Sequence, residues 1–249
     1  MHYFQYIETI LKKPSILMPQ NRILLLSHMR ANTSLFGHLL GSNPQIDGYY
    51  ELHINYKSRK NLLLQKLKYY QEHNKKKSSL YIFDKILHNH HFVNPELFSN
   101  SKVIIMIREP MATIESIVKL YKNKNEQHAL ANIEGASEYY LQRLVKLREY
   151  SKEFKGNYFF LEAEQLLNNT DSTLSSLSNW LHLEKPLSKE YKILKKTGLE
   201  GAGDSSEKMA SGMIMPRDIN YVPTLALNHN IIKNYKDTLE ALVFNSSNL

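Results

Sequence analysis

Short, almost uninterrupted apolar runs alternate along the chain with longer segments of helical periodicity. Apolar runs of this length are typical of β-strands that are buried on both faces, as in a parallel sheet. We therefore predict buried strands at Ile23–Leu26, Leu80–Phe83, Lys102–Ile107 and Tyr158–Leu161.

The segments between the strands carry apolar residues at spacings of three and four, which predicts helices. Pro110 is typical of the first turn of a helix, and Ile114 and Ile117 continue the pattern after it. Strands that alternate with helices indicate an α/β fold, here a three-layer α/β/α arrangement around a central parallel sheet. Further helices are predicted before Pro14 and at about 35–40, 58–73, 127–153, 173–183 and 228–242, and a loop rich in glycine and serine at 198–216.

The stretch Arg22–Leu40 combines a predicted strand, a short polar turn and a predicted helix. In this frame the first N–H groups of the helix and its positive end point into the turn, which favours a phosphate. Thr33 and Ser34 add hydroxyl donors, and Arg30 adds a planar positive charge. A Walker A sequence is absent, and an ordinary turn capped by Asn32 or Thr33 is the alternative.

Other polar residues follow the predicted strands in the same way. Asp84 and Lys85 come after the second strand, and Arg108 comes after the third. Ligands of parallel α/β sheets bind beyond the carboxyl ends of the strands, so we expect these residues to share one rim with Ser27–Ser34. The sequence thus predicts a nucleotide-type site there, although Arg108 could instead serve a structural ion pair.

Composition narrows the choice of partners. The formal net charge of +8 favours an anionic ligand, but the lysines are scattered, and Lys75–Lys77 lies in a polar stretch that we interpret as a solvated loop. No basic helix with interleaved aromatic residues is present, so we expect no nucleic-acid partner. The sequence has no apolar run of transmembrane length, no signal-peptide pattern and no cysteine. We expect a single domain over residues 1–249 and, by default, a cytoplasmic location.

Two of these segments resemble motifs of the sulfotransferase family. The turn His28–Leu35 resembles the 5′-phosphosulfate-binding loop R-x-G-T-[ST]-L, and Arg108, Pro110 and Ser116 resemble the 3′-phosphate-binding motif R-x-P-x5-S. The resemblance covers about residues 20–243, and it implies the P-loop-NTPase-like sulfotransferase fold. It also implies 3′-phosphoadenosine 5′-phosphosulfate (PAPS) as donor and 3′-phosphoadenosine 5′-phosphate (PAP) as product. The residues that it places around the donor are Arg30, Ala31, Asn32, Thr33, Ser34, Leu35, Arg108 and Ser116.

Further segments are similar to particular branches of that family. Asn43–Glu51 resembles the H-P-x(6)-E stretch of tyrosylprotein sulfotransferases, in which the glutamate is the base. Lys85 falls where that branch and the heparan branch carry a lysine near the transferred group. Gly203–Ile214 resembles a late loop that closes over the nucleotide in bacterial members. The resemblance thereby adds Lys208, Ser211 and Gly212 to the donor-binding residues.

The chain departs from the family pattern at two positions. Asn32 replaces the glycine of the first loop, and asparagine is well able to adopt the left-handed conformation that such a loop needs. Ala163 stands where the family has a tyrosine, which leaves one adenine-side contact without a counterpart.

The chemistry of sulfuryl transfer suits these residue types. An in-line displacement needs positioning, charge stabilisation and a base for the acceptor hydroxyl. Glu51 is our first choice of base and His53 the second, while Lys85 can neutralise charge on the leaving oxygen. The sulfuryl group carries less charge than a γ-phosphoryl group, so we expect the reaction to need no metal. We assign His88–His91 to plain surface or to the acceptor pocket, and a metal site, which needs ligands held at defined geometry, is the third alternative for this cluster.

Other functions remain open at this point. A nucleotide-dependent kinase without Walker features is one alternative, and a nucleotide- or anion-binding protein without catalysis is another. The acceptor, a hydroxyl or an amine, and the oligomeric state are not predicted, because acceptor pockets are formed by variable loops.

Overall fold

The computed structural model describes residues 2–198, 207–215, 225 and 227–247. The strands are β1 (Asn21–Leu26), β2 (Ile46–Asp47), β3 (Tyr81–Ile86), β4 (Lys102–Ile107) and β5 (Tyr158–Glu162). The helices are α1 (His2–Lys12), α2 (Thr33–Ser42), α3 (Arg59–Glu72), α4 (Pro110–Lys124), α5 (Ile133–Glu153), α6 (Gln165–Asn168), α7 (Thr170–Trp180), α8 (Glu207–Ala210) and α9 (His229–Asn245). Single 3₁₀ turns lie at Pro14–Leu17, Pro95–Phe98 and Ala129–Ala131.

The strands form one five-stranded sheet in the order β2-β3-β1-β4-β5, and every pair is parallel. The central strand β1 pairs with β3 on one side and β4 on the other, so that Leu25 lies between Lys85 and Ile104. After β1 the chain first builds β2 and β3 on one side and then β4 and β5 on the other. The carboxyl end of β1 is therefore the topological switch point, where ligands of such sheets bind.

Apolar layers cover both faces of the sheet, which confirms the predicted three-layer α/β/α fold. Successive side chains of a strand point to opposite faces. Accordingly, Leu24 and Leu26 pack in the layer that contains α5 and α9, whereas Ile23 and Leu25 pack in the layer that contains α2 and α7.

The predicted strands are all present, but β3 is longer than predicted. It continues through Asp84 and Lys85 to Ile86, because β1 supplies a parallel partner along its whole length. Asp84 and Lys85 therefore lie within the buried strand rather than in a turn after it. A prediction based only on the apolar run ends the strand at Phe83, because the polar residues Asp84 and Lys85 interrupt that run.

Helix boundaries shift from the predictions by a few residues. The predicted helix at 127–153 begins at Ile133, where the Asn132 side chain accepts a hydrogen bond from the Gly135 N–H (2.9 Å). The predicted 198–216 loop falls partly outside the described residues, and its described part contains α8 and a bridge between Met213 and Glu190. No helix in the described ranges is long and apolar enough to cross a membrane.

Candidate active site

The turn between β1 and α2 has the backbone geometry expected of an anion-binding loop. Asn32 adopts the left-handed conformation (φ 55°, ψ 21°), as predicted, and Arg30 also has a positive φ of 62°. The first hydrogen bond of the helix runs from the Phe36 N–H to the Asn32 carbonyl (2.9 Å). The N–H groups of Thr33, Ser34 and Leu35 precede that bond and lie at the positive end of the helix. This arrangement can bind a phosphate group.

Two side-chain contacts attach this loop to distant parts of the chain. The Asn32 Nδ2 donates to the Ala163 carbonyl just beyond β5 (3.3 Å), and the Tyr139 hydroxyl accepts from the Met29 N–H (2.8 Å). The Tyr139 hydroxyl also donates to the Leu87 carbonyl after β3 (2.8 Å). Asn32 thus adopts the left-handed backbone that a glycine would also adopt, and its side chain adds a cross-link that a glycine could not make. Ala163, the second departure from the family, contributes through its backbone.

His28 joins the ends of β1 and β4 from a fully buried position. Its Nε2 accepts from the Arg108 N–H (3.0 Å), and its Nδ1 donates to the Met29 carbonyl (2.9 Å). These two partners assign the proton of a neutral imidazole to Nδ1. Burial lowers the pKa of His28 to about 3, and the charges of Arg143 and Arg108 act in the same direction.

We expect His28 to make the stability of the fold depend on pH. Its pKa is lower in the folded protein than in the unfolded chain, so only the unfolded chain binds the proton as the pH falls from about 6.5 towards 3. Its contribution is complete above that window and is lost within it, by up to about 1.4 kcal/mol per pH unit. Urea unfolding at several pH values should give a shallower slope for His28→Gln, which keeps an acceptor for the Arg108 N–H. An unchanged slope would contradict this role.

The two phosphate-binding segments predicted from the sequence are in direct contact. The Arg30 Nε donates to the Ser116 Oγ on α4 (2.8 Å), and the Arg108 Nη1 donates to the Arg30 carbonyl (2.9 Å). The Arg108 carbonyl accepts from the Tyr140 hydroxyl of α5 (2.7 Å). Two guanidinium groups and a serine hydroxyl therefore converge between the loop and the start of α4. Such a group of donors suits a second phosphate.

Arg108 also has a carboxylate neighbour that sequence reasoning missed. Its Nε lies 3.6 Å from the Glu164 Oε1, and both side chains are largely buried. Burial raises the pKa of Glu164. Arg108 is therefore partly engaged in an ion pair, the structural role that the sequence left open. Glu109, the residue between Arg108 and Pro110, caps α4 by accepting from the Met111 and Ala112 N–H groups (both 2.9 Å).

The Glu51 side chain is only 9% exposed, and the charge of Lys85 acts on it. Burial raises the pKa of Glu51 to about 7, while the charges of Lys85 and Arg143 act in the opposite direction. A carboxyl group with a pKa near neutrality accepts a proton more readily than an exposed one, which suits a general base. The structure thus brings the predicted base and the predicted lysine together.

Asp84, beside Lys85, fixes the segment that carries Glu51. Its Oδ1 accepts from the backbone N–H groups of Leu52 (3.0 Å) and Lys85 (2.8 Å), and its Oδ2 accepts from the Tyr56 hydroxyl (2.5 Å). Asp84 is fully buried, and burial raises its pKa to about 7. The irregular segment after β2 is therefore held against β3 by one side chain.

Arg143 is a further residue of this region that the sequence did not single out. It is completely buried on α5, and its guanidinium donates to the Ser27 carbonyl (2.7 Å), the Ile86 carbonyl (2.6 Å) and the Asn89 Oδ1 (3.0 Å). It therefore joins the carboxyl ends of β1 and β3 below Glu51. Because Arg143 lies in the interior of a helix, the local sequence gives no signal that it joins two strand ends.

His53 and His91 lie beside Glu51. The Glu51 Oε1 is 3.6 Å from the His53 Nδ1 and 3.7 Å from the His91 Nδ1. Burial lowers the pKa of His91 to about 4, so its imidazole is neutral at pH 7. His53, the second candidate base, is half-exposed. His91 belongs to the cluster His88–His91, for which the sequence left an acceptor pocket, plain surface or a metal site as alternatives.

Two residues predicted in the late loop, Ser211 and Gly212, make hydrogen bonds in the described part of the chain. The Tyr191 N–H donates to the Gly212 carbonyl (2.7 Å), and the Ser211 Oγ donates to the Met213 carbonyl (3.0 Å). The Tyr191 ring contacts the His38 ring on α2 at 5.8 Å between centroids. The side chain of Lys208 lies outside the described residues, so the predicted lid over the nucleotide stays a prediction.

The fold and the loop at its switch point define a parallel α/β protein of nucleotide-binding type. The sulfotransferase family model matches residues 62–186, which is half of the chain, and the chain therefore belongs to the sulfotransferase family. Its activity is sulfuryl transfer. The matched range contains Lys85, Arg108 and Ser116 but begins after the β1–α2 loop and Glu51.

Solved structures with the same fold are also sulfotransferases. The sulfotransferase domain of the Synechococcus PCC 7002 olefin synthase shares 17% identity, with 89% of this chain and 94% of that chain covered and a TM-score of 0.57. The sulfotransferase domain from the curacin biosynthetic pathway shares 16% identity, with 91% and 98% covered and a TM-score of 0.53. A mouse sulfotransferase solved with PAP is a weaker match, with 14% identity, 72% and 64% covered and a TM-score of 0.47. Comparison with curated protein sequences gives no match.

Proposed function

We propose that this sulfotransferase takes its sulfuryl group from PAPS and transfers it to a hydroxyl or amine acceptor. The whole chain would serve as one catalytic domain. The observation that carries the proposal is the direct contact between the β1–α2 loop and the Arg108–Ser116 segment, through Arg30. A nucleotide with phosphates at both the 5′ and 3′ positions needs two adjacent anion sites, which this contact supports.

In the proposed complex the loop binds the 5′ side of the donor. The N–H groups at the start of α2 and the Thr33 and Ser34 hydroxyls would contact the 5′-phosphosulfate. Arg108 and Ser116 would contact the 3′-phosphate, and Arg30 would lie between the two groups. When the more highly charged 3′-phosphate binds, the ion pair between Glu164 and Arg108 would break, or Arg108 would contact both groups.

The proposed reaction is a displacement at sulfur on the neighbouring part of the rim. Glu51 takes the proton of the acceptor hydroxyl, a bond forms between that oxygen and sulfur, and the bond from sulfur to the 5′-phosphate oxygen breaks. The electron pair of the broken bond stays on the phosphate of PAP, where Lys85 offsets the new negative charge. Asp84 supports this pair of residues, because it accepts hydrogen bonds from the N–H of Leu52, which follows Glu51, and from the N–H of Lys85 itself. We also retain the prediction of a cytoplasmic location.

Calorimetric titration with PAP and with 5′-AMP tests the donor assignment. We expect PAP to bind about ten- to a hundredfold more tightly or better, because a lost charge-assisted contact typically costs about 1.5–3 kcal/mol. ADP and ATP serve as controls, since they carry extra charge on the 5′ side and none at the 3′ position. Equal affinities for PAP and 5′-AMP would overturn the assignment of Arg108 and Ser116.

A further inference from the structure

Glu51, His53 and His91 form a compact cluster of metal-ligating side chains. Each offers one ligand atom, and the three atoms lie within 4.8 Å of one another. The Glu51 Oε1 is 3.6 Å and 3.7 Å from the two imidazole Nδ1 atoms. Ligands of a tetrahedral zinc ion, at 2.0–2.2 Å from the metal, lie about 3.4 Å apart. The two separations from Glu51 are thus close to the spacing that a metal ion requires, and the two histidine ligand atoms lie within 4.8 Å of each other.

Two of these ligand atoms are buried without a hydrogen-bond partner in the described part of the chain. They are the Glu51 Oε1 and the His91 Nδ1, and both side chains are only 9% exposed. A separation of 3.7 Å is too long for a hydrogen bond between them. A buried polar atom without a partner costs roughly 1–3 kcal/mol, so such a pair calls for an explanation such as an ion.

The third ligand, His53, has an unusual backbone conformation. His53 has a φ of 53°, in the left-handed region that a residue with a side chain rarely adopts. The hydrogen bonds of Asp84 to the Leu52 N–H and the Tyr56 hydroxyl hold the segment on either side of it. The strained residue is therefore kept in place by a buried anchor, as is common at ligand sites.

We propose that Glu51, His53 and His91 bind a divalent transition-metal ion, with Zn²⁺ as the best fit. Two imidazoles and one carboxylate are a ligand set that zinc uses in proteins, with a fourth position left for water or another ligand. Sulfuryl transfer needs no metal, so the ion would regulate the enzyme rather than take part in the reaction.

Bound Zn²⁺ would occupy the Glu51 carboxylate oxygen that accepts the proton of the acceptor hydroxyl, so the ion should inhibit sulfuryl transfer. This consequence rests on the proposed role of Glu51 as base, whereas the binding itself does not. Lys85 and Arg143 act on the site in two ways. Their charges favour the carboxylate form of Glu51 that a metal requires, and they also repel a cation and weaken its binding.

Titration calorimetry of the chelator-treated full chain with Zn²⁺, in the absence of donor and acceptor, tests the site. We expect His91→Ala to weaken Zn²⁺ binding by more than the roughly 10- to 100-fold that loss of an outer-sphere partner costs. Glu51→Gln should do the same while keeping the shape of the side chain. His90→Ala is the matched control, because His90 is exposed and its ring contacts His91 without belonging to the cluster. Thermal unfolding of each variant establishes that it is folded.

Titration with Co²⁺ provides a second readout, because the visible absorption of this ion reports its coordination. The spectrum should change on binding to wild type and His90→Ala but not to His91→Ala or Glu51→Gln. Equal Zn²⁺ affinity in wild type, His91→Ala and Glu51→Gln would overturn the proposal, as would absence of binding to wild type. An active enzyme that binds no Zn²⁺ refutes only the metal site. Conversely, Zn²⁺ bound at these residues in a chain with no PAP selectivity supports the metal site and contradicts the donor assignment.

Discussion

Glu51→Gln should lower the turnover number by about 10²–10⁴-fold, the usual range for loss of a general base. The amide has nearly the shape of the carboxyl group but cannot accept the proton of the acceptor hydroxyl. Steady-state kinetics with saturating PAPS and an acceptor found by screening measures the effect. PAP affinity, measured by calorimetry, should stay within about twofold, because the residues that we assign to the two phosphate groups of the nucleotide do not include Glu51.

Glu149→Gln on the exposed face of α5 is the control for this substitution, since its side chain is 53% exposed. It should leave turnover unchanged. His53→Ala separates the two candidate bases, because His53 is the only other titratable group that we proposed for the role. Full activity of Glu51→Gln together with an inactive His53→Ala would reassign the base to His53.

Arg108→Ala should lower the affinity for PAP by about ten- to a hundredfold, which corresponds to about 1.5–3 kcal/mol. The affinity for 5′-AMP should change much less, because that nucleotide lacks the 3′-phosphate. The difference between the two nucleotides should therefore largely disappear. Parallel calorimetric titrations of wild type and variant measure this difference directly and cancel effects that are common to both ligands.

The structural contacts of Arg108 require two further variants. The Arg108 Nη1 donates a hydrogen bond to the Arg30 carbonyl, and the Arg108 Nε lies close to Glu164. Removal of the Arg108 side chain could therefore also disturb the β1–α2 loop. Arg108→Lys keeps a charge but not the planar fork, and it should recover only part of the PAP affinity. Arg59→Ala, at the exposed start of α3, is the control and should bind both nucleotides as wild type does. An equal loss of affinity for PAP and 5′-AMP in Arg108→Ala would contradict a specific 3′-phosphate contact.

Much of the fold could be predicted from the sequence because burial leaves a local pattern. Lys102–Ile107 is a strand with the predicted bounds, and Pro110 begins a helix as predicted. Likewise, the left-handed conformation of Asn32 follows from steric limits on a single residue. The parallel sheet follows from the alternation of strands and helices, which needs no knowledge of particular contacts.

The motif residues of the candidate site were also accessible from sequence, because each follows a predicted strand. Arg30 and Arg108 end at the same rim once the strands are parallel, and Glu51 and Lys85 were named through the family resemblance. Their neighbours were not accessible in this way. Glu164 and Arg143 carry no local signal that separates them from ordinary polar residues of loops and helices, and the histidine cluster that includes His91 did not indicate a contact with Glu51.

The sequence by itself thus determined which segments are strands and helices, that the sheet is parallel, and which turns face its carboxyl edge. Only the tertiary structure decided which side chains meet there. Arg143 reaches the Ser27 carbonyl across 116 residues of chain, and Asn32 reaches the Ala163 carbonyl across 131. Such contacts depend on strand register and on how helices cross the sheet, which are properties of the whole packed core. Local hydrophobic pattern reports burial and backbone conformation, and it contains no information on distances between remote residues.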